Sequence, residues 1–176
     1  MDLDEALRRA RQVKLMGFDV DGVLTDGTLY LSDAGDELKG FNTLDGLGLK
    51  LLQDGGVELA IITGRESKLV ALRAQNLGIS RLHQGVENKF ATFDALRREL
   101  GLELAECGYM GDDLPDLGIL SRCGFAASVP QAPVEVRSRV HYVTEAPAGG
   151  GAAREVCELI LRAQGTLDQA VARYLA

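Results

Sequence analysis

Residues 13–27 read VKLMGFDVDGVLTDG, and this stretch decides how the chain folds. Its first six residues are mostly apolar and predict a buried β-strand. Two carboxylates, Asp19 and Asp21, follow the strand directly, and Gly22 comes next. Because ligands bind at the carboxyl ends of the strands in open α/β sheets, the pair predicts a functional site at that edge. A DxDG turn that merely ends a strand is the alternative interpretation.

A second strand-turn-helix unit occupies residues 57–78. An apolar run at 57–62 precedes Thr63-Gly64-Arg65, helical periodicity extends over 66–77, and Gly78 predicts the helix stop. Further strands are predicted at 81–84, 108–111, 124–129 and 141–143, and further helices at 2–13, 88–100, 114–122 and 151–164. Such alternation predicts an α/β fold, a Rossmann-like three-layer sandwich whose central, mostly parallel sheet has helices on both faces.

Two segments depart from this alternation. Within residues 26–42, Leu29 and Leu31 alternate with other residues and a turn-forming stretch follows at 33–36, which predicts a β-hairpin inserted after the first strand. Within residues 165–176, apolar residues recur at helical spacing. This C-terminal tail could pack on its own subunit or on a neighbouring one, and for a chain without a cap domain we favour the neighbour. We interpret residues 1–176 as a single domain.

The composition excludes several classes of partner. Among 176 residues, 46% are hydrophobic and 26% are charged, which is typical of a soluble globular protein. The net charge of -7 argues against nucleic acid and anionic membrane as partners, since both favour a cationic surface. The three cysteines lack paired or metal-ligand spacing, and no long apolar run occurs, so we expect a reduced, cytoplasmic protein.

A second acidic cluster follows the strand predicted at 108–111. It contains Asp112, Asp113 and Asp116 at the start of a predicted helix. Helix capping explains one aspartate there, because Asp is favoured at the N-cap and in the first turn. Three carboxylates at the same sheet edge as Asp19 and Asp21 favour a hard-cation site, since Mg²⁺ takes oxygen ligands. We expect the carboxyl groups of residues 19, 21 and 112 to meet around one such cation.

Thr63 and Lys89 complete the set of candidate catalytic residues. Thr63 follows a fully apolar strand, and its hydroxyl with the next two backbone amides could hold phosphate oxygens. Lys89 lies at the start of the helix predicted at 88–100. Each residue alone is typical of a structural turn or a solvated surface charge. Together with Asp19 and Asp112 they come after successive strands or at helix starts, so all four can meet at one sheet edge.

The four motifs, in this order, resemble those of the haloacid dehalogenase superfamily of phosphohydrolases. The family pattern is DxDGxL(T), hydrophobic-T-G, Lys and GDDxxD, and this sequence has DVDGVLT from Asp19, IITG ending at Gly64, Lys89 and GDDLPD from Gly111. The resemblance implies that Asp19 is a nucleophile that forms an aspartyl-phosphate. It further implies that Asp21 is the general acid and base.

The same resemblance implies the metal ligands and the supporting residues. Mg²⁺ would be held by Asp19, by the backbone carbonyl of Asp21 and by Asp112. Thr63 and Lys89 would supply the remaining contacts to the phosphoryl oxygens. Asp113 and Asp116 would orient metal-bound waters or Lys89.

Within the superfamily, the short length, the hairpin, and the phrases FNTLDGLG from Phe41 and AAREVC from Ala152 resemble the 3-deoxy-D-manno-octulosonate 8-phosphate phosphatases. That family acts in lipopolysaccharide sugar synthesis as a homotetramer in which neighbouring subunits complete each active site. Its glycine-rich stretch contains an arginine that the corresponding 149–151 lacks. The resemblance implies that a sugar acid phosphate is bound by Asp21, Asn42, Thr43, Leu44, Asp45, Gly46, Lys50, Arg65, Arg73 and Lys89.

Three alternatives remain open at this point. A phosphatase for a nine-carbon keto sugar acid phosphate would share every motif and differ only in pocket residues. A signalling receiver domain would also accept phosphate on an aspartate, but Asp21 and the hairpin argue against it. A non-catalytic scaffold is disfavoured because each motif position is intact. His83 and His141 are interpreted as structural residues.

Overall fold

The computed structural model describes residues 2–175. The elements, in chain order, are α1 (Leu3–Ala10), β1 (Leu15–Phe18), β2 (Tyr30–Leu31), β3 (Glu37–Leu38), α2 (Thr43–Asp54), β4 (Glu58–Ile62), α3 (Lys68–Leu77), β5 (Arg81–His83), α4 (Lys89–Glu99), β6 (Cys107–Met110), α5 (Leu117–Leu120), β7 (Phe125–Ser128), α6 (Val134–Arg137), β8 (Tyr142–Val143), α7 (Ala152–Ala163) and α8 (Leu167–Ala172). Short 3₁₀ helices lie at Leu104–Glu106 and Leu114–Asp116.

The six-stranded sheet has the order β5-β4-β1-β6-β7-β8, and every neighbouring pair is parallel. All four residues of β1 are buried, as are those of β6 and β7. Strands of a parallel sheet are covered on both faces, which is why these segments are continuous apolar runs in the sequence. The predicted α/β fold with a parallel central sheet is therefore confirmed.

The register of the three central strands aligns their carboxyl ends. Phe18 of β1 pairs with Ile61 of β4 on one side and with Met110 of β6 on the other. The backbone amide of Asp19 then donates to the carbonyl of Met110 at 2.9 Å. The residues that follow these three strands consequently lie side by side at one rim of the sheet.

Helices form two groups around the sheet. In one group α7 packs against α2 and α1, and in the other α4 packs against α5. Ring packing links α4 to the sheet: Phe93 of α4 and Tyr109 of β6 are both buried, and their rings make an edge-to-face contact with centroids 5.8 Å apart. Gly78 ends α3 in the left-handed conformation at φ 72°, as the sequence predicted.

The predicted hairpin is present but shorter than its sequence segment. β2 and β3 pair antiparallel, with Tyr30 opposite Leu38 and Leu31 opposite Glu37. Gly35 has φ 85° in the connecting turn. Leu31 and Leu38 are 67% and 68% exposed, so the hairpin presents apolar side chains to the outside of the chain.

The sequence did not delimit α2, because Gly46 and Gly48 interrupt its helical pattern and lower its helix propensity. Both glycines permit close packing. A Cβ at position 48 would lie 2.8 Å from the Arg154 backbone of α7, and one at position 46 would lie 2.3 Å from the Arg73 guanidinium. The short helix α6 was also not predicted. The tail contains the expected helix, α8, and Ala176 lies outside the described residues.

Within residues 2–175, no helix combines the length and the apolar character needed to cross a bilayer.

Candidate active site

An acidic cleft of about 340 Å³ opens at the carboxyl rim of β1, β4 and β6. Asp19 follows β1, Thr63 follows β4, Asp112 lies two residues beyond β6, and Lys89 is the first residue of α4. The structure therefore brings together these four of the five predicted catalytic and metal-ligand positions, and the fifth, Asp21, lines the same cleft. The lining residues are Asp19, Asp21, Thr63, Gly64, Arg65, Val86, Glu87, Lys89, Asp112, Asp113, Pro115 and Asp116.

Asp19 lies at the bottom of the cleft and is only 7% exposed. Its Oδ1 lies 2.9 Å from Nζ of Lys89. Burial raises the pKa of Asp19 to about 6, and the negative charge of Asp116 adds to this rise while Lys89 opposes it. A carboxylate in this setting is poorly solvated, which favours reaction with an electrophile once a cation stabilises its charged form.

Asp19, Asp112 and Asp116 form a carboxylate cluster whose oxygens lie within 4.8 Å of one another. Burial, followed by the charges of Asp19 and Asp116, raises the pKa of Asp112 to about 7. Oδ1 of Asp112 is buried and has no hydrogen-bond partner among the residues described. A buried acceptor without a donor, beside a second carboxylate, fits a hard divalent cation such as Mg²⁺.

Gly22 allows this cluster to approach the first motif. It has φ +90°, and a Cβ at this position would lie 2.0 Å from Oδ2 of Asp112. Any side chain would push the Asp112 carboxylate out of the cluster. The glycine of DxDG is therefore required for the metal site as well as for the turn.

Asp116 is fully buried and accepts four hydrogen bonds. Its Oδ1 accepts from Lys89 Nζ at 2.8 Å and from the Tyr109 hydroxyl at 3.0 Å. Its Oδ2 accepts from the backbone amides of Asp112 and Asp113, at 3.2 and 3.3 Å. Asp116 thus fixes both Lys89 and the loop that carries Asp112, whereas the sequence had assigned it only a supporting role.

Burial lowers the pKa of Lys89, but the nearby carboxylates of Asp116 and Asp19 outweigh it and raise the pKa above its ordinary value. Lys89 is 6% exposed and pairs with both carboxylates. It is therefore a fixed buried cation rather than the solvated surface charge that a lone lysine at a helix start suggests.

The side chain of Asp21 lines the cleft and contacts Lys39, the residue directly after hairpin strand β3. Its Oδ1 accepts from Nζ of Lys39 and, at 3.4 Å, from the hydroxyl of Thr25. Arg65 Nε lies 3.9 Å from Oδ2. The side chain of Asp21 is not in the carboxylate cluster, where the third member is Asp116. The sequence had expected the carboxyls of residues 19, 21 and 112 to meet.

Thr63 and Arg65 form the third part of the rim. Thr63 is 3% exposed, and its Oγ1 accepts from the Arg65 backbone amide at 3.4 Å. The Arg65 guanidinium reaches across the cleft and donates to Glu37 of the hairpin at 2.6 Å. Arg65 and Lys39 are cations of the rim, but the sequence singled out only Arg65. The one sequence signal for Lys39 is its spacing of two residues from Glu37, which in an extended segment predicts side chains on the same side.

The remaining predicted substrate-binding residues lie outside the cleft. Asn42 caps α2 by accepting from the Leu44 amide at 2.8 Å. Asp45 is 2% exposed and accepts from the amides of Gly151 and Arg154, at 3.3 and 2.8 Å, at the start of α7. Burial raises the pKa of Asp45, against the effect of these hydrogen bonds.

Arg73 belongs to the same group of contacts. Its guanidinium donates to the Asn42 carbonyl at 3.0 Å and lies 5.7 Å from the ring centre of Phe41. Thr43, Leu44 and Lys50 are exposed on α2. Within one chain, Asn42, Asp45 and Arg73 stabilise the start of α2 and the 149–151 loop, and no member of the set lines the cleft.

Asp113 and His141 have local structural contacts. Asp113 is exposed and caps the following 3₁₀ helix by accepting from the Leu114 amide at 2.8 Å. Nδ1 of His141 accepts from the Ala126 amide at 2.8 Å, and burial lowers the pKa of His141.

Comparison with known proteins assigns this site to a family. The 3-deoxy-D-manno-octulosonate 8-phosphate phosphatase of Escherichia coli K12 is 42% identical over 166 residues, which cover 94% of this chain and 88% of that protein. The chain belongs to the family of 3-deoxy-D-manno-octulosonate 8-phosphate phosphatases. A relative from Salmonella typhi with the same name is 43% identical over 164 residues, 93% of this chain and 87% of that protein. No general family model matches the chain.

Solved structures agree with this assignment to the phosphatase family. The Moraxella catarrhalis phosphatase was crystallised with magnesium, phosphate and 3-deoxy-D-manno-octulosonate (KDO). It superposes with a TM-score of 0.96 at 44% identity, over 98% of this chain and 99% of that one. The cobalt-bound Haemophilus influenzae phosphatase gives a TM-score of 0.88 at 34% identity, over 93% and 99% of the two chains. A Legionella pneumophila structure described as a HAD superfamily hydrolase has a TM-score of 0.94 at 40% identity, over 98% and 95%. The resemblance found in the sequence is confirmed.

Proposed function

We propose that this chain hydrolyses 3-deoxy-D-manno-octulosonate 8-phosphate to KDO and inorganic phosphate. The observation that carries the proposal is the buried Asp19 carboxylate, paired with Lys89 and set against Asp112 in the cleft. Such a group is placed to attack phosphorus, and the family relatives with 42% identity bear the name of this activity.

The reaction proceeds in two steps on Asp19. A carboxylate oxygen of Asp19 attacks phosphorus, an acyl-phosphate bond forms, and the bond from phosphorus to the sugar oxygen breaks. Asp21 gives its proton to the departing sugar oxygen. In the second step Asp21 takes a proton from water as the water attacks the acyl-phosphate, which releases phosphate and restores Asp19.

The cation site is assigned to Asp19, the backbone carbonyl of Asp21 and Asp112. A bound Mg²⁺ supplies charge neutralisation between the nucleophile and the phosphoryl oxygens. Lys89 and the Thr63 hydroxyl hold phosphoryl oxygens from the protein side. Asp116 keeps Lys89 in place through the 2.8 Å contact, and Asp113 caps the loop that carries Asp112. These preorganised charges stabilise the transition state, in which negative charge is distributed over the phosphoryl oxygens.

Substrate recognition is proposed to need more than one subunit. Of the cationic and polar residues expected to bind the sugar acid, Arg65 lines the cleft, while Lys50 and Arg73 do not. We propose that the exposed members of this set, Thr43, Leu44 and Lys50, serve the site of a neighbouring subunit in a homotetramer. Asn42, Asp45, Gly46 and Arg73 hold the start of α2 that presents them. Support comes from large exposed apolar side chains on the hairpin and tail, at Leu29, Leu31, Leu38, Tyr174 and Leu175.

The cellular role follows from the same proposal. KDO release from its 8-phosphate belongs to lipopolysaccharide sugar synthesis, and we place the enzyme in the cytoplasm. The three cysteines are free and buried, which suits a reducing compartment.

Phosphate release with purified protein tests the activity. KDO 8-phosphate, a nine-carbon keto sugar acid 9-phosphate and simple sugar phosphates are compared with Mg²⁺ and with EDTA. We expect the highest kcat/KM for KDO 8-phosphate, loss of turnover in EDTA, and a loss of at least about 10³-fold in Asp19→Asn. Asp168→Asn, an exposed aspartate of α8, is the matched control and should retain wild-type turnover. A higher kcat/KM for the nine-carbon substrate, or near-native turnover in Asp19→Asn, would contradict the proposal.

A further inference from the structure

Lys39, the residue directly after hairpin strand β3, has a buried ammonium group that contacts Asp21, a residue lining the cleft. Its side chain is 2% exposed, although the neighbouring Leu38 is 68% exposed. A lysine is seldom buried unless its ammonium is paired, and here it contacts Oδ1 of Asp21 and lies 3.5 Å from Glu37. The pairing places a fixed positive charge against the residue proposed as general acid and base.

The two oxygens of Asp21 have different surroundings. Oδ1 accepts hydrogen bonds from Lys39 and from the Thr25 hydroxyl. Oδ2 has Arg65 Nε at 3.9 Å, beyond hydrogen-bond distance, and accepts no hydrogen bond from residues 2–175. The carboxyl group is therefore held by one oxygen, and the other is left available at the cleft.

We propose that Lys39 is a positioning residue for the phosphatase reaction: by holding Oδ1 of Asp21, it makes Oδ2 the oxygen that exchanges the proton. This inference rests on the proposed function. An ammonium group has only donors, so a proton on Oδ1 would face another donor, while a proton on Oδ2 meets no such conflict.

Asp21 loses a proton in the first step of the reaction and regains one in the second. As the bond from phosphorus to the sugar oxygen breaks, the proton on Oδ2 moves to that oxygen and Asp21 becomes a carboxylate. The charge-assisted hydrogen bond from Lys39 stabilises this carboxylate without competing for Oδ2. In the second step Oδ2 takes a proton from the attacking water, and the cycle closes with Lys39 still charged.

The hairpin is fixed against the cleft by two ion pairs. Glu37 of β3 and Lys39, the residue directly after β3, both make ion pairs with residues of the cleft, whereas Leu38 between them is 68% exposed. Glu37 accepts from Arg65 at 2.6 Å while Lys39 contacts Asp21. The hairpin thus holds charged groups against Asp21 and Arg65, two residues that line the cleft, in addition to its exposed apolar face.

The test compares two substrates that differ in their need for an acid. KDO 8-phosphate has an alkoxide leaving group, which needs protonation, whereas p-nitrophenyl phosphate releases a stable phenolate. kcat/KM reports only the steps up to departure of the leaving group, so slow hydrolysis of the acyl-phosphate does not affect it. For Lys39→Met we expect kcat/KM to fall about 10- to 100-fold with the alkyl ester and less than about threefold with the aryl ester.

Two companion variants separate positioning from a loss of structure. Lys39→Arg keeps the cation and should restore kcat/KM for the alkyl ester to within about fivefold of wild type. Lys14→Met removes an exposed lysine whose carboxylate partner is Glu106, and it should change kcat/KM for neither substrate. Should Lys39→Met not fold, Lys39→Gln takes its place in the comparison.

A double variant tests whether Lys39 acts through Asp21. In an Asp21→Asn background the proton is absent, so Lys39→Met should change kcat/KM by less than about twofold. Equal losses for both esters, additive losses in the double variant, or wild-type kinetics in Lys39→Met would overturn the inference and leave the proposed function standing. A wild-type protein that releases phosphate from neither ester would refute the proposed function and the inference together.

Discussion

Replacement of Asp116 by Asn tests how the site is held together. The carboxylate is fully buried, with Lys89 and the Tyr109 hydroxyl on Oδ1 and two backbone amides on Oδ2. An asparagine has one acceptor end and one donor end. With its NH₂ group toward the two backbone amides, both of those hydrogen bonds are lost. With its NH₂ group toward Lys89, the bond from Lys89 is lost, whereas the Tyr109 hydroxyl can accept from the NH₂ group and donate to the Ile62 carbonyl at 3.3 Å. At least one buried donor is therefore left without an acceptor, whichever way the amide points.

Asp116→Asn changes the free energy of unfolding in two opposing ways. Each buried donor left without an acceptor costs about 1–3 kcal/mol. Against this, the loss of one negative charge relieves repulsion with Asp19 and Asp112. We expect this relief to be smaller than the cost of the lost hydrogen bonds. Burial, and not the charge of Asp116, is the first cause of the raised pKa of Asp19 and of Asp112. We expect a net loss of about 2 kcal/mol, which for a chain of this size lowers Tm by about 4–8 °C.

Thermal unfolding and phosphate release measure the two consequences of Asp116→Asn. The loss of Tm should be larger with Mg²⁺ than with EDTA, because the cation already neutralises the repulsion that the substitution relieves. With one of its two partners lost, Lys89 is less well placed, and kcat should fall by about 100-fold. Asp113→Asn is the control for stability, since Asn caps a helix as well as Asp. A Tm within about 1 °C of wild type in Mg²⁺, or a kcat within about threefold, would refute this reasoning.

Tyr109→Phe removes one hydrogen bond to Asp116 and is expected to lower Tm by about 2–4 °C in a melting experiment. Its kcat should stay within about tenfold of wild type, and an unchanged Tm would contradict the hydroxyl contact. Gly22→Ala displaces the Asp112 carboxylate and should weaken Mg²⁺ binding at least about tenfold in calorimetry, so wild-type affinity would be the contrary result. The pKa values of about 6 for Asp19 and about 7 for Asp112 exceed the ordinary 3.8, so the folded chain without metal retains protons that the unfolded chain has released. Its stability should therefore fall as pH rises from about 5 to 7.5, and the gain in Tm from Mg²⁺ should grow over the same range; a gain that shrinks would contradict the assignment.

The sheet and the motif residues could be predicted because their signals are local. Each central strand is an apolar run that ends in a chemically distinctive residue, and parallel strands align their carboxyl ends. Helix α2 could not be delimited, since Gly46 and Gly48 are selected by contacts with Arg73 and Arg154 rather than by helix propensity. The mismatch between propensity and structure arises where two helices approach closely.

The partners of the motif residues could not be predicted, because they depend on long-range contacts. Lys39 lies 18 residues from Asp21 in the chain, and Asp45 meets the amide of Arg154 across 109 residues. The sequence identified Asp116 as acidic and nearby, but only the structure shows that it joins Lys89 to Tyr109. Residues 42–46 are a second example. The sequence predicts that they bind substrate, whereas in the folded chain they form the N-cap and first turn of α2.

Trapping the phosphorylated residue tests the central claim most directly. The protein is mixed with KDO 8-phosphate and Mg²⁺, quenched within one turnover, and treated with borohydride, which reduces an aspartyl-phosphate to homoserine. Peptide mass spectrometry should locate homoserine at position 19 and leave Asp21, Asp112 and Asp116 unmodified. Turnover without any modified aspartate, or modification at a position other than 19, would contradict a covalent mechanism on Asp19.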